Sequence, residues 1–444
     1  MKYPRVLVVN GYPFGQGSAT GLTMGSLFKG WPKEHLGCLY TESYMEPDCT
    51  FCEWCWHLSL RNKRSISCLL GEPPFKTVVR MQAHQRGNAA RHKSWWDYVQ
   101  VPFIRYLRSI KGRLPRQGIR DLDNYRIPKY VLKDITEFRP QVVYTMLASN
   151  PLLQLCLDLA EHFSIPVVPH FMDDWPTTLY RYSLFRFPLR RRMKRCLAAI
   201  LERSPKRMTI GDAMAKEYAS RYGGNFTPFM NSVESELLNR PVIAPRPRQK
   251  VRLLYVGGLH LNRWRSLRDI GMALKLLHEE GLEVEAYVYT TPRFAGEAKK
   301  LNIPPVMRAA GTLASSEVPN ALRKADIVLH VESFDRHNRK YTRYSVSTKI
   351  PECMAAARPI FAYGPEELSS IRYVHESGSG LSVGHRSRFE LVAALRKLVG
   401  SVELRESLGM QGHHVACSKH NAEMERERFR SVLEAVTTCD ESTI

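Results

Sequence analysis

The chain reads as α/β, with two doubly wound parallel-sheet domains joined by a linker. Three observations lead there. The short continuous apolar run Val-Leu-Val-Val at 6–9 suits a strand covered on both faces, and further strand-like runs such as 327–331 recur along the chain. These runs alternate with helical segments, the signature of parallel sheets wound on both sides. The alternation stops at 239–250, Asn-Arg-Pro-Val-Ile-Ala-Pro-Arg-Pro-Arg-Gln-Lys, a polar, proline-rich stretch that reads as a linker. At 444 residues the chain is also too long for one ordinary core.

In the first half, the strand at 6–9 enters a loop bearing Gly11, Gly15, Gly17 and Gly21, followed by a helix over 22–29. Residues 45–130 carry scattered Trp, Arg and Tyr without clean alternation and read as a largely helical insertion. Alternation resumes with a strand at 141–145, a helix at 151–162 and a strand at 166–171. After the linker, strands at 251–256, 284–289, 327–331 and 360–363 alternate with helices over 266–280 and 318–324. Open parallel sheets bind ligands outside the carboxyl ends of their strands, so residues that carry chemistry belong just after strands.

The richest such place is 347–360, Ser-Thr-Lys-Ile-Pro-Glu-Cys-Met-Ala-Ala-Ala-Arg-Pro-Ile, which reads as loop, helix, turn and strand. Ser347, Thr348 and Lys349 stand at a helix start, where backbone N–H groups suit phosphate, and Glu352 can accept hydrogen bonds from a ribose diol. An ordinary amphipathic helix with a solvated Glu352 is the competing reading. Gly257 and Gly258 follow the 251–256 strand and permit close backbone approach, with His260 and Arg263 within reach of an anion. Glu332 and Asp335 follow the 327–331 strand. In the first half, His170, Asp173 and Asp174 lie at and after the 166–171 strand. A carboxylate there suits orienting or deprotonating a hydroxyl, one of the two adjacent acids suits capping the turn before Trp175, and His170 equally suits a core position.

Taken in order, these segments resemble the GT-B glycosyltransferases, specifically the retaining enzymes of family 4 (glycosyl transferases group 1). The run from Met208 through Ala-Met-Ala-Lys-Glu-Tyr, Arg-Tyr-Gly and Asn-x-Val at 231–233 adds to that likeness. The resemblance implies two Rossmann-like domains facing a central cleft. Residues 1–238 would form the acceptor side, 239–250 the linker and 251–415 the nucleotide-sugar side, with a helix over 416–444 packing back on the first domain. It implies a glycosyltransferase moving a sugar from a nucleotide-diphosphate sugar to a lipid-linked or growing surface glycan, with retention, no metal and no cofactor beyond the donor. Gly17, Gly257, Gly258, Arg263, Ser347, Thr348, Lys349 and Glu352 would bind the donor, and Asp173, His170 and Asp174 would serve catalysis. Two departures stand out. The family has an Arg after the first glycine and a Lys five residues later, whereas here Gly258 replaces the Arg and Arg263 takes the Lys place. The family also carries two glutamates separated by seven residues; Glu352 matches the second, but the first falls on Tyr344.

Net charge is +22, from 65 basic and 43 acidic residues, and calls for a partner of opposite sign. Basic residues gather at 105–120 and again at 181–195, the latter interleaved with Tyr180, Tyr182, Leu184, Phe185, Phe187 and Leu189. That mixture suits an anionic membrane surface, and no helix-turn-helix, zinc-finger or aromatic RNA-binding signature supports nucleic acid instead. No apolar run approaches the roughly 20 residues needed to span a bilayer. The first residues read as a strand and not a signal peptide, so a cytoplasmic protein, peripheral on the membrane, is expected. Cys49, Cys52 and Cys55, with His57 and Cys68 beyond, have a spacing compatible with metal ligation, but the alternating Phe51, Trp54 and Trp56 favour buried thiols packed as small apolar groups. Two other functional readings stand: a non-catalytic polyanion-binding protein on a degenerate version of the same fold, and a nucleotide-sugar epimerase.

Overall fold

A computed structural model describes residues 3–15, 18–42, 47–58, 118, 120–240 and 250–438. The chain divides into two compact units: Met1–Thr209 with Tyr222–Thr227 and Arg428–Ile444, and Ile210–Arg221 with Pro228–Glu427.

The first unit is built on a seven-stranded sheet of order β3-β2-β1-β4-β5-β6-β7. Its strands are β1 (Val6–Asn10), β2 (Leu36–Tyr40), β3 (Trp54–His57), β4 (Val142–Thr145), β5 (Val167–Phe171), β6 (Arg207–Thr209) and β7 (Phe226–Pro228). From β3 through β6 neighbouring strands run parallel. All of β1 is fully buried, as its unbroken apolar run requires when helices cover both faces. The Asn150–Phe163 helix begins where the Ser149 hydroxyl accepts from Leu152 N and Pro151 sits in the first turn, and ends at Ser164, which takes a left-handed φ of 52°. Phe28, Tyr144 and Phe429 form an edge-to-face aromatic cluster, with centroids 5.0 to 5.5 Å apart.

Within the expected 45–130 insertion, residues 47–58 contribute the edge strand β3 and not a helix; 59–117 lie outside the described residues, as do 241–249 of the expected linker. Cys38 and Cys55 stand opposite each other on β2 and β3, and Cys38, Cys52 and Cys55 are all buried free thiols. Among the described residues, no group of three or more His, Cys, Asp or Glu is arranged to hold a metal ion. No described helix is long and apolar enough to cross a membrane.

The second unit holds a six-stranded sheet of order β10-β9-β8-β11-β12-β13, parallel throughout. The strands are β8 (Val251–Val256), β9 (Val284–Tyr289), β10 (Met307–Gly311), β11 (Ile327–Val331), β12 (Ile360–Tyr363) and β13 (Gly380–Val383). Side chains alternate between two cores. Ile327, Leu329 and Val331 of β11 face a core filled by Leu267, Ile270, Leu274 and Leu277 of the Arg263–Glu279 helix. Val328 faces the opposite core with Met354, Ile371 and Val374. That double burial is why β11 reads as a continuous apolar run.

β12 and β13 meet with no room to spare: Gly380 pairs with Ile360, and a Cβ added there would lie 1.8 Å from the Ile360 carbonyl oxygen. Gly380→Ala is expected to destabilise the protein by at least about 2 kcal/mol, since overpacking against backbone cannot relax through a side chain. Urea unfolding of the two proteins measures this; an unchanged midpoint would contradict the strand pairing.

Candidate functional site

Counting outward in the second sheet, β8 is flanked by β9 and then β10 on one side, and by β11, β12 and β13 on the other. Chain order therefore reverses between β8 and β11, and loops leaving these two strands turn away from each other and open a crevice at their carboxyl ends. The residues after β8 and β11 meet in that crevice.

After β8 the chain makes a close turn. The Gly257 amide donates to Tyr289 O (3.0 Å), and the Tyr255 hydroxyl donates to Gly258 O (2.8 Å). A Cβ on Gly257 would stand 2.9 Å from the Tyr255 hydroxyl and 3.0 Å from Lys349 Nζ, so a side chain is excluded where Lys349 closes over the turn. Leu261 and Asn262 both take positive φ, 57° and 61°, before the Arg263–Glu279 helix begins. Side chains that follow β11 hold that strained pair: Asn338 donates to Leu261 O (2.8 Å), and Asn262 donates to Asp335 (2.5 Å).

Arg263 is the centre of the cluster. Its Nη2 and Nε donate to Glu332 Oε1 and Oε2 at 2.8 and 3.3 Å, a two-point pair across the crevice. Its Nη1 lies 3.3 Å from His260 Nε2, and His330 Nε2 lies 3.5 Å from Glu332 Oε1. Lys349 reaches in from 93 residues on and donates to Val256 O at 2.9 Å, the last carbonyl of β8. Burial, with the Arg263 charge adding to it, lowers His260 to about 4. Burial likewise lowers His330 to about 4, against an opposing pull from Glu332. Both rings are therefore neutral near pH 7. Lys349 and Glu352 are open to solvent yet hemmed in by protein atoms, as in a concavity: desolvation lowers the Lys349 ammonium and raises the Glu352 carboxyl.

Of the residues singled out from sequence, Gly257, Gly258, His260, Arg263 and Lys349 come together here. Ser347, Thr348 and Glu352 flank Lys349; the loop is tied down by the Ser347 amide donating to Ser370 Oγ (2.9 Å) and by Ser370 Oγ donating to Ser345 O (3.2 Å). The helix that follows, Ile350–Ala355, has only six residues and carries Pro351 in its first turn. So short a helix has little end charge, which leaves the cationic side chains as the main attraction for an anion. Gly17 lies outside the described residues. In the first unit, His170 is buried within β5 with Nδ1 2.7 Å from the Tyr144 hydroxyl. Asp174 is buried at the head of the short Trp175–Thr178 helix, and Asp173 beside it is half-buried.

Sequence reading missed His330, hidden as one letter of an apolar strand, and missed that Glu332 pairs with Arg263. An acid directly after a buried strand was the available signal for Glu332. It is 2% exposed, too deep to be a solvated strand-end acid.

Because both histidines are held below the ordinary value of 6.5, the folded protein binds fewer protons than the unfolded chain between about pH 4 and 6.5. Stability present above pH 6.5 is therefore lost as pH falls toward 4. His330→Gln is expected to lose less stability than the parent between pH 7 and pH 5, measured by urea unfolding at each pH; equal losses would show that His330 does not titrate this way.

No protein-family model matches the chain, and no curated protein matches it in a sequence search. Solved structures are similar in fold. Sucrose-phosphate synthase from Thermosynechococcus elongatus superimposes with a TM-score of 0.62 at 12% identity, over 99% of this chain and 100% of that one. Anabaena HepE in complex with UDP gives 0.59 at 10% identity, over 97% and 100%. WaaG, a glycosyltransferase involved in lipopolysaccharide biosynthesis, gives 0.55 at 13% identity, over 96% and 98%. With its two parallel α/β sheets of seven and six strands, the chain has the GT-B fold.

Proposed function

We propose that the protein is a glycosyltransferase that binds a nucleotide-diphosphate sugar in the crevice of its second unit and transfers the sugar to a glycan or glycolipid. The observation that carries this reading is the convergence of the Gly257–Gly258 turn, Arg263 and Lys349 at the β8/β11 reversal. A glycine turn lets the diphosphate approach backbone amides, and two cations are set where charge grows as the donor's bond to the sugar breaks. Fixed cations at that point stabilise the departing diphosphate without reorganising during the reaction. The HepE structures holding UDP and UDP-glucose lend support by fold. Glu352, held protonated more readily by its surroundings, suits hydrogen bonding to donor hydroxyls. On this reading His170, Asp173 and Asp174 belong to the acceptor side, and reaction proceeds with retention. Of these, the half-buried Asp173 is the best placed to meet a substrate.

Arg263→Ala and Lys349→Ala should each weaken UDP binding by roughly tenfold or more, the usual range for a charge-assisted contact. Calorimetric titration with UDP and a panel of nucleotide sugars measures this. Absence of binding to every nucleotide, or binding indifferent to both substitutions, would overturn the assignment.

Peripheral membrane association is the second part of the proposal. Tyr182, Leu184 and Phe187 are 55%, 60% and 73% exposed, beside the exposed Arg181, Arg186, Arg191, Lys194 and Arg195. Apolar side chains ringed by cations suit the headgroup boundary of an anionic bilayer. Arg190 and Arg192 instead brace the protein itself. Arg190 donates to the carbonyls of Leu179 (2.8 Å), Thr177 and Pro176, and Arg192 to that of Asp121 (3.3 Å). Replacing Leu184 and Phe187 by Ser should reduce sedimentation with phosphatidylglycerol vesicles several-fold and leave UDP affinity unchanged. Undiminished vesicle binding would remove the membrane from the account.

A further inference from the structure

The donor-binding reading leaves one buried acid unexplained. Glu332 carries a carboxylate beside a site meant for an anion, where like charge would be unfavourable. Its surroundings fix it firmly. Its amide donates to Tyr363 O (2.9 Å), its carbonyl accepts from Ser266 Oγ (2.7 Å), and a Cβ on Gly364 would stand only 2.8 Å from Glu332 Cβ. The Glu332 side chain is 3% exposed, whereas the Arg263 side chain is 17% exposed. Within the pair, therefore, the cation faces outward and the acid lies behind it.

A guanidinium has five donors in one plane and can present two edges to acceptors. Glu332 occupies the edge formed by Nε and Nη2, and the neutral His260 ring stands at Nη1. An arginine held this way cannot swing on its flexible stem. We propose that Glu332 is a positioning residue: it orients Arg263 so that the outward part of the guanidinium recognises the diphosphate of the ligand. This rests on the donor-binding reading and deepens it, because it separates the group that touches the anion from the group that aims it. The carboxylate stays in place in the complex, and its cost to anion binding is outweighed by the ordering of Arg263.

Two probes test this on the full chain: UDP and inorganic pyrophosphate, with uridine as a control that lacks the anion. Glu332→Ala should weaken UDP and pyrophosphate binding about tenfold and leave uridine affinity unchanged. In an Arg263→Ala background the same substitution should cost little further, since the two residues act as a unit. Glu332→Gln keeps the volume and one acceptor oxygen, should lose less than Glu332→Ala, and serves if the alanine variant does not fold. Tighter UDP binding in either variant, a parallel loss of uridine binding, or additive effects with Arg263→Ala would each overturn the proposal. Pyrophosphate binding without UDP binding in the parent would sink the donor reading alone and leave the role of Glu332 standing; no binding of either would overturn both.

Discussion

The pairing of Arg263 with Glu332 joins residues 69 positions apart and spans the crevice where the second sheet reverses its order. Much of the local structure depends on it. In a sheet that is parallel throughout, all strands end on one edge, and only at the reversal do neighbouring loops separate to leave room for a ligand. β8 supplies the turn and the arginine, β11 supplies the acid, and the residues after β11 also hold the left-handed Leu261–Asn262 step that starts the arginine's helix. The same short stretch of chain thus sets both the direction of the helix and the direction of the side chain at its head.

Charge in the crevice is simplified by burial. His260 and His330 are neutral near pH 7, so the formal charges that matter are those of Arg263, Lys349, Glu332 and Glu352. Glu332 is spoken for by Arg263, and Glu352 is pushed toward its neutral form by its setting. The cations that remain toward a ligand are Arg263 and Lys349, with Glu352 close to Lys349 and a short helix contributing little. On the donor-binding reading, Arg263 fills the family lysine's place with a planar guanidinium held by Glu332. His260, whose Nδ1 lies 2.6 Å from where a Cβ on Gly258 would stand, and Lys349 are then the groups that compensate for the arginine missing at Gly258.

The central strands of each sheet were legible from sequence, and the outer ones were not. Residues 251–256, 284–289, 327–331 and 360–363 match β8, β9, β11 and β12 residue for residue: β11 and β12 are buried throughout and read as apolar runs, while β8 and β9 keep enough apolar and aromatic residues around Arg252 and Glu285 to read as strands. β3 was not legible: Trp54–His57 is an edge strand whose alternation is masked by aromatics and cysteines, and it sits in a stretch that reads as an insertion. β13 was also missed, since its Gly380 is dictated by the tight approach to β12 and Ser382 breaks the apolar pattern. At the site, the residue types after each strand could be read, but their pairing could not. Glu332 and Arg263 are brought together by sheet order, a property of topology that local pattern does not encode. Asp174 stands buried at the head of a short helix without capping it through its side chain, and Asp173 beside it is half-buried.

The central claim is that an anionic nucleotide occupies the carboxyl end of β8 and β11. A crystal structure of the protein with UDP tests it most directly. The account predicts density for the diphosphate within hydrogen-bond distance of Arg263, over the Gly257–Gly258 turn, with the Arg263–Glu332 pair intact. A diphosphate seated elsewhere on the second unit, or one that breaks that pair to reach Arg263, would contradict it.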